Sequence, residues 1–318
     1  MKYLKLIRYQ NLIMIALMQF LFRYTYLKYA TFTLLTPSGN FLALSDFQFA
    51  LLVLSTVCIA AAGYIINNII DQDNDEITKP KSRIVGKTIT ENAAYNLYVF
   101  FNITGVGIGF YLSNAIGKKG LFTLFIFIAA LLYVYSTYLK KIIIISNLVV
   151  ALTLSFSIII IGVFDLFPTI YEGNIQQMKQ AHNVLFDYAV FAFIINWIRE
   201  IVKDIEDTDG DYASGIQTIP IVLGKTRTAK LLSILLLLPI LLLIYYINEN
   251  LAAFNLVLIY GLLLIIGPLI YTIIKLWSAK TKNEFKHIST ILKLVLLFGI
   301  LSIVVITYSI KNAQGQII

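Results

Sequence analysis

The chain has 318 residues, 59% of them hydrophobic and 13% charged, with a net charge of +8 and a mean hydropathy of +0.82. Soluble domains run at about 45–50% apolar and about 25% charged residues. The balance here excludes disorder, a collagen-like chain and a disulfide scaffold, leaves too little polar surface to cover a soluble core, and points to a polytopic membrane protein.

Nine runs are long and apolar enough to be spans, at 11–30, 47–70, 93–117, 120–139, 142–164, 184–202, 231–247, 251–274 and 294–310. Residues 1–10 are basic, but no small-residue cleavage site follows, so no cleavable signal peptide is expected. Arg23 falls inside the first run, and Arg8 and Asn11 open it. Cys58, the single cysteine, sits in the second run and can form no internal disulfide. Gly105, Gly107 and Gly109 in the third run follow no strand and read as a close helix-packing surface. Lys118 and Lys119 alone separate the third and fourth runs, which makes that turn tight. Pro239 and Pro268 lie within spans and predict kinks. His182 and His287 are predicted on opposite sides of the membrane, so no shared metal site is expected of them.

Of the 25 Lys and Arg residues, 19 fall on the side that holds the N-terminus and the loops after even-numbered spans. The six exceptions are Arg23, Lys28, Lys118, Lys119, Lys179 and Lys311. The positive-inside rule then predicts a cytoplasmic N-terminus and an external C-terminus. The positive charge follows topology, and no nucleic-acid partner is expected. The expected fold is all-α, a nine-helix transmembrane bundle in a cell inner membrane, with a central cavity opening to the cytoplasmic side.

The 17 carboxylates are concentrated. Asp71, Asp73, Asp75 and Glu76 fall in one segment, and Glu200, Asp204, Glu206, Asp207, Asp209 and Asp211 in another. Both segments follow even-numbered spans. Asn67, Asp71 and Asp75 are spaced i, i+4, i+8, which places them within about 80° on one helix face. Asp204, Asp207 and Asp211 are spaced i, i+3, i+7 and share a face, with Gly210 a candidate helix end. Asp73, Glu206 and Asp209 fall off these faces. Carboxylates stacked this way repel unless a divalent cation lies between them, and oxygen donors without Cys or His suit Mg²⁺ or Mn²⁺. Lys79, Lys81 and Arg83, then Lys140 and Lys141, then Arg199 and Lys203 lie close by in sequence. Carboxylates, Mg²⁺ and Lys/Arg together form a polyphosphate site. Solvated helix ends with i,i+4 ion pairs are the bland alternative for either cluster. A cation or metabolite transporter is the alternative from another class, and the placement of the carboxylates at span ends weighs against it.

At these residues the sequence resembles the UbiA superfamily of intramembrane prenyltransferases. Asn67, Asp71 and Asp75 match its first acidic motif, and Asp204, Asp207 and Asp211 its second. Tyr135-Ser-Thr-Tyr138-Leu-Lys140-Lys141 resembles its Tyr and Lys segment, with Asn147 at a position where a polar residue is often seen. Residues 84–87, Ile-Val-Gly-Lys, depart from the Pro-containing stretch of many members. The resemblance covers the chain as one transmembrane prenyltransferase domain, 1–318. It implies a prenyl diphosphate held by Mg²⁺ between the two clusters, with Asn67, Asp71, Asp75, Asp204, Asp207 and Asp211 as metal ligands. Asp71, Asp75, Asp204 and Asp207 would be catalytic, and Arg83, Lys140, Lys203, Asn67 and Tyr138 would bind the diphosphate. Tyr64, Tyr135, Tyr138 and Trp197 are aromatic candidates to face an allylic cation. The acidic segments look most similar to the digeranylgeranylglyceryl phosphate synthase branch, which implies a lipophilic acceptor, geranylgeranylglyceryl phosphate. An aromatic quinone precursor is the alternative acceptor.

Overall fold

A computed structural model describes residues 2–29, 42–72, 75–76, 83–213 and 215–315. Asp73, Lys79 and Lys81 lie outside the described residues. The described chain is helical, without a strand. Its principal helices are α1 (Lys2–Leu6), α2 (Tyr9–Leu21), α3 (Asp46–Ile70), α4 (Glu91–Ala115), α5 (Thr123–Thr137), α6 (Ile145–Ile161) and α7 (Ile175–Ala213). They continue with α8 (Ile219–Leu223), α9 (Lys225–Leu235), α10 (Leu237–Asn250), α11 (Asn255–Gly261), α12 (Gly267–Ser278) and α13 (Lys282–Gly315). Among the described residues, seven helices are long and apolar enough to cross a membrane, and they overlap seven of the nine predicted spans. The remaining two predicted spans fall on α2 with its π-helical continuation Phe22–Leu27, and within α7.

The chain forms two compact units. The first contains Met1–Phe20, Thr31–Ser146 and Ser157–Leu185. Its centre is α3. Ser45 caps α3 through a capping box, its hydroxyl accepting from Gln48 N–H while the Gln48 side chain accepts from Ser45 N–H. Small residues let the neighbouring helices approach. A Cβ on Gly105 of α4 would lie 2.8 Å from Ile59 of α3, and Ser55 Oγ donates to Gly105 O at 2.6 Å. A Cβ on Gly109 would lie 2.3 Å from the Phe125 ring of α5, whereas Gly107 faces open space. The expected glycine surface is therefore made by Gly105 and Gly109 alone. Replacing Gly109 with leucine is expected to overpack this contact by about 1–3 kcal/mol, seen as a lowered Tm of the detergent-solubilised chain, while Gly107→Leu leaves Tm unchanged. At the other end of α3, Leu6, Ile65, Ile66, Ile69, Val85, Ile89 and Ala94 form one apolar cluster. This cluster ties α1 and the 83–90 loop to the stretch of helix that leads into Asp71.

The second unit contains Leu21–Ala30, Asn147–Phe156 and Phe186–Ile318. Its two long helices run antiparallel. Tyr188 OH meets Ser302 Oγ at 2.6 Å, Phe191 lies against Gly299, and Lys282 Nζ pairs with Asp207 Oδ1 at 3.2 Å. Both prolines disturb their helices as predicted. The helix breaks at Leu236, ahead of Pro239, between α9 and α10. Ahead of Pro268 the turn Leu262–Ile266 widens to a π-helix, and Gly267 N–H reaches back to Leu262 O. Proline lacks an N–H and its ring crowds the carbonyl four residues earlier, which accounts for both.

Outward faces in both units carry large apolar side chains. Phe100, Ile103 and Phe110 on α4, and Leu241 and Tyr245 on α10, are all more than half exposed. Such a surface suits hydrocarbon and not water.

Two helix boundaries differ from the sequence expectation. Gly210 does not end α7, which runs on to Ala213. The stop comes at Gly215, whose φ of +69° admits the left-handed turn, with Ile216 N–H bonded to Asp211 O at 2.9 Å. A glycine inside a helix costs only about 1 kcal/mol, so Gly210 is carried through by its neighbours. The segment before the last predicted span is also helical: α13 starts at Lys282, and His287 lies on it with Nε2 3.3 Å from Tyr271 OH.

Candidate active site

In the first unit, Asp71 caps α3. Its N–H bonds Asn67 O at 3.0 Å, and Asp75 N–H bonds Asp71 O at 2.8 Å. Asn67 Nδ2 donates to Asp71 Oδ2 at 2.9 Å. The same oxygen receives the ammonium of Lys140, which a 3₁₀ turn, Leu139–Lys141, delivers after α5. The Asp71 side chain is 15% exposed, so its charge is met by an amide and an ammonium in a largely enclosed position.

Arg83 is held differently from the expectation that it faces a diphosphate. Its Nη1 pairs with Glu76 Oε2 at 2.7 Å and its Nε donates to Val85 O at 3.0 Å. The guanidinium lies over Gly86, where φ is +78° and a Cβ would stand 2.4 Å from Nη2. Glycine is needed there both for the turn and for Arg83. Tyr138 is the residue after α5 and is 70% exposed, with no described contact to Asp71. Tyr64, an aromatic candidate on α3, accepts a hydrogen bond from Asn11 Nδ2 at 3.1 Å, and the Arg8 guanidinium lies 5.0 Å from its ring centre. Arg8 has a φ of +50°, rare outside glycine, at the break between α1 and α2. Trp197 stacks with Phe193 at 6.2 Å.

In the second unit, Asp204 of α7 accepts a hydrogen bond from Asn147 Nδ2 at 2.8 Å. Asn147 is 4% exposed. Burial pushes the Asp204 carboxyl up to about 7; the Asn147 hydrogen bond opposes the rise, Glu200 and Asp211 reinforce it, and Lys203 opposes it. Asp211 thus acts electrostatically on Asp204 from the same helix, as its spacing predicts. Asp207 pairs with Lys282, and the off-face Asp209 pairs outward with Lys225 at 2.7 Å. Lys203, expected at a diphosphate, pairs with Glu200 at 2.9 Å.

Within neither unit, among the described residues, do three or more Asp, Glu, His or Cys side chains gather at metal-binding distance. The chemistry of the donors nonetheless fits Mg²⁺. Asn67, Asp71 and Asp204 offer hard oxygens with no sulfur or imidazole in contact. Each carboxylate is instead met by N–H donors, and Asp204 is buried far enough to lose its proton only near neutrality. At Asp204, where the one direct donor is a neutral amide, a divalent cation would supply positive charge.

Residues 29–297 match the model of the UbiA prenyltransferase family. The chain belongs to the UbiA prenyltransferase family. Digeranylgeranylglyceryl phosphate synthase of Saccharolobus solfataricus is 30% identical over 77% of this chain and 79% of its own length. The synthase of the same name from Korarchaeum cryptofilum is 29% identical over 63% of this chain, and the match spans 65% of that relative's length, just under two thirds. A solved UbiA homologue from Archaeoglobus fulgidus, bound to DMAPP and Mg²⁺, superposes with a TM-score of 0.58 at 18% identity over 95% of this chain and 99% of its own. This UbiA chain is therefore a membrane-embedded protein, helical throughout its described residues, with the fold of that solved homologue.

Sequence reasoning reached every acidic residue above but missed their partners. Glu76 was seen only as one of a cluster, Lys282 only as a topology charge, and Asn147 only as a polar residue. Each contact closes over a long stretch of chain or a turn that no spacing rule encodes.

Proposed function

We propose that this chain transfers a prenyl group from a polyprenyl diphosphate to a lipophilic acceptor, releasing pyrophosphate. The observation that carries this reading is the pair of enclosed carboxylates, Asp71 under Lys140 and Asp204 on Asn147, each at the start of an acidic helical face. Asn67, Asp71, Asp75, Asp204, Asp207 and Asp211 would hold Mg²⁺, which when bound neutralises the charge that develops on the departing pyrophosphate. Lys140 would follow that charge, a role supported by its ammonium lying at Asp71. Arg83 and Lys203 reach the diphosphate by leaving Glu76 and Glu200, and Tyr138 by turning inward. The bond between the prenyl C1 and its diphosphate oxygen breaks, an acceptor oxygen bonds to C1, and the proton of the acceptor hydroxyl leaves with the released pyrophosphate. The prenyl tail lies among the apolar helices, and the bilayer is the medium for both substrates.

The preferred reaction is geranylgeranyl transfer to the glycerol hydroxyl of geranylgeranylglyceryl phosphate. The relatives of that name support it, as do the acidic segments. We also keep nine spans, a single functional domain, a cytoplasmic N-terminus, an external C-terminus and a cavity opening to the cytoplasm, supported by the 19 basic residues assigned to one side. The test is an acceptor screen with purified chain, geranylgeranyl diphosphate and Mg²⁺. Geranylgeranylglyceryl phosphate is expected to give the ether product, and dihydroxynaphthoate none. Transfer to the naphthoate alone would move the chain to the quinone-precursor reading. Flux across sealed vesicles without any diphosphate would favour a transporter.

A further inference from the structure

Two outward ridges of the second unit meet at one end. α9 packs against α12. There the Lys230 ammonium of α9 lies 5.4 Å from the centre of the Trp277 ring, near the end of α12. Leading away from this contact, both ridges are apolar and face outward. Ile234, one turn on from Lys230, is 65% exposed, and Ile274, one turn back from Trp277, is 62% exposed. The last turns of α12 are also fixed from another side, because Tyr271 OH meets His287 Nε2 of α13 at 3.3 Å. Neighbouring cations are answered within the unit: Lys225 by Asp209 at 2.7 Å and Lys282 by Asp207 at 3.2 Å. Arg227 and Lys230, three positions apart and both exposed on α9, take part in no ion pair among the described residues.

A tryptophan ring, polar at its N–H edge and apolar elsewhere, settles at the headgroup level of a bilayer. An ammonium over such a ring keeps N–H groups turned away from it, and these stand where lipid phosphates lie. A zwitterionic lipid brings its own cation to that level. An anionic lipid brings a phosphate whose charge the two α9 cations match, the arginine through its planar fork. We propose that Arg227, Lys230 and Trp277 form the headgroup site of one bound anionic phospholipid, with an acyl chain lying along Ile234 and Ile274. His287 and Lys282 lie five residues apart on α13, so this headgroup stands at the same end of the unit as Asp207. Holding that end at the headgroup layer fixes the depth at which the acidic face of α7 stands in the membrane. Nothing in the site depends on prenyl transfer, so it stands apart from the function proposed above.

The chain has two tryptophans, so Trp197→Phe leaves Trp277 as the single reporter. The full chain is reconstituted in phosphatidylcholine vesicles. Trp277 fluorescence is then quenched with brominated phosphatidylglycerol or brominated phosphatidylcholine at equal mole fraction. Phosphatidylglycerol is expected to quench at low mole fraction and to saturate, with an apparent association about 10-fold that of phosphatidylcholine. Arg227→Gln and Lys230→Gln together should bring the two curves into coincidence, and Lys230→Arg should keep the preference. Lys225→Gln should keep it too, since that charge is already held by Asp209. Equal quenching by both lipids in the parent would overturn the site. So would a preference that weakens as much in Lys225→Gln as in the Arg227 and Lys230 variant, because that is the behaviour of a merely basic surface. Should Trp197→Phe misfold, the difference between wild type and Trp277→Phe isolates the same reporter. Quenching needs no turnover, so failure of prenyl transfer in the acceptor screen leaves this result readable.

Discussion

Asp71→Ala is expected to stop pyrophosphate release from geranylgeranyl diphosphate, with a loss of about 10³-fold or more, while the chain stays folded. The Asp71 carboxylate is the point where Asn67 and Lys140 converge. Removing it takes away one of the carboxylates proposed to hold Mg²⁺ and leaves Lys140 without its described partner. Electrostatic stabilisation of a developing phosphate charge is worth several kcal/mol, and each 1.36 kcal/mol is about tenfold in rate. Asp204→Ala should do the same from the other acidic face. The measurement is Mg²⁺-dependent pyrophosphate release, with circular dichroism to show that helicity is unchanged. Near-normal turnover in both variants would sink the assignment of the site.

The second expected result separates activity from stability. Asp204→Asn is expected to abolish turnover and yet to raise Tm of the metal-free chain at pH 8. The folded Asp204 carboxyl titrates at about 7, above its ordinary value of 3.8, mainly because burial penalises the charge. A group whose pKa is raised by folding opposes folding wherever it is ionised. The cost is complete above pH 7, falls as the pH drops through that value, and is gone below about pH 4. Asparagine carries no charge and can still accept a hydrogen bond from Asn147. The Tm difference between variant and wild type in EDTA should therefore be large at pH 8 and small at pH 4.5. A variant no more stable than wild type at pH 8 would show that the Asp204 charge is already compensated without metal. Such an opposition between stability and activity is common where a site holds a buried charge for function.

Much of the fold was legible because hydrophobic runs of span length have few alternatives, and seven of the nine predicted runs overlap helices of that kind. Helical spacing alone sets which side chains share a side, and at Asn67 and Asp71, four positions apart, the two side chains meet in a direct hydrogen bond. What spacing cannot encode is which distant residue answers each carboxylate. Lys140 reaches Asp71 across 69 positions, and Asn147 reaches Asp204 across 57. Spacing alone does not separate Lys140 from Lys141; the resemblance names Lys140, and it is Lys140 that meets Asp71 from the 3₁₀ turn after α5. Helix ends were misjudged at Gly210 for a related reason. Either glycine could have stopped α7, and the choice fell to Gly215, where the left-handed turn also satisfies the Asp211 carbonyl.

The lengths of α7 and α13 carry one last consequence. At 39 and 34 residues they are about 60 and about 50 Å long, well beyond a hydrocarbon core of about 30 Å. The charged stretch around Asp204, Asp207 and Lys282 can thus stand in the headgroup layer while the same helices remain rooted in lipid. A reaction carried out there meets its substrates already concentrated and oriented in two dimensions. Its rate should follow their mole fraction in the membrane, and diluting them with inert lipid should slow it even when the amount of each in the test tube is unchanged.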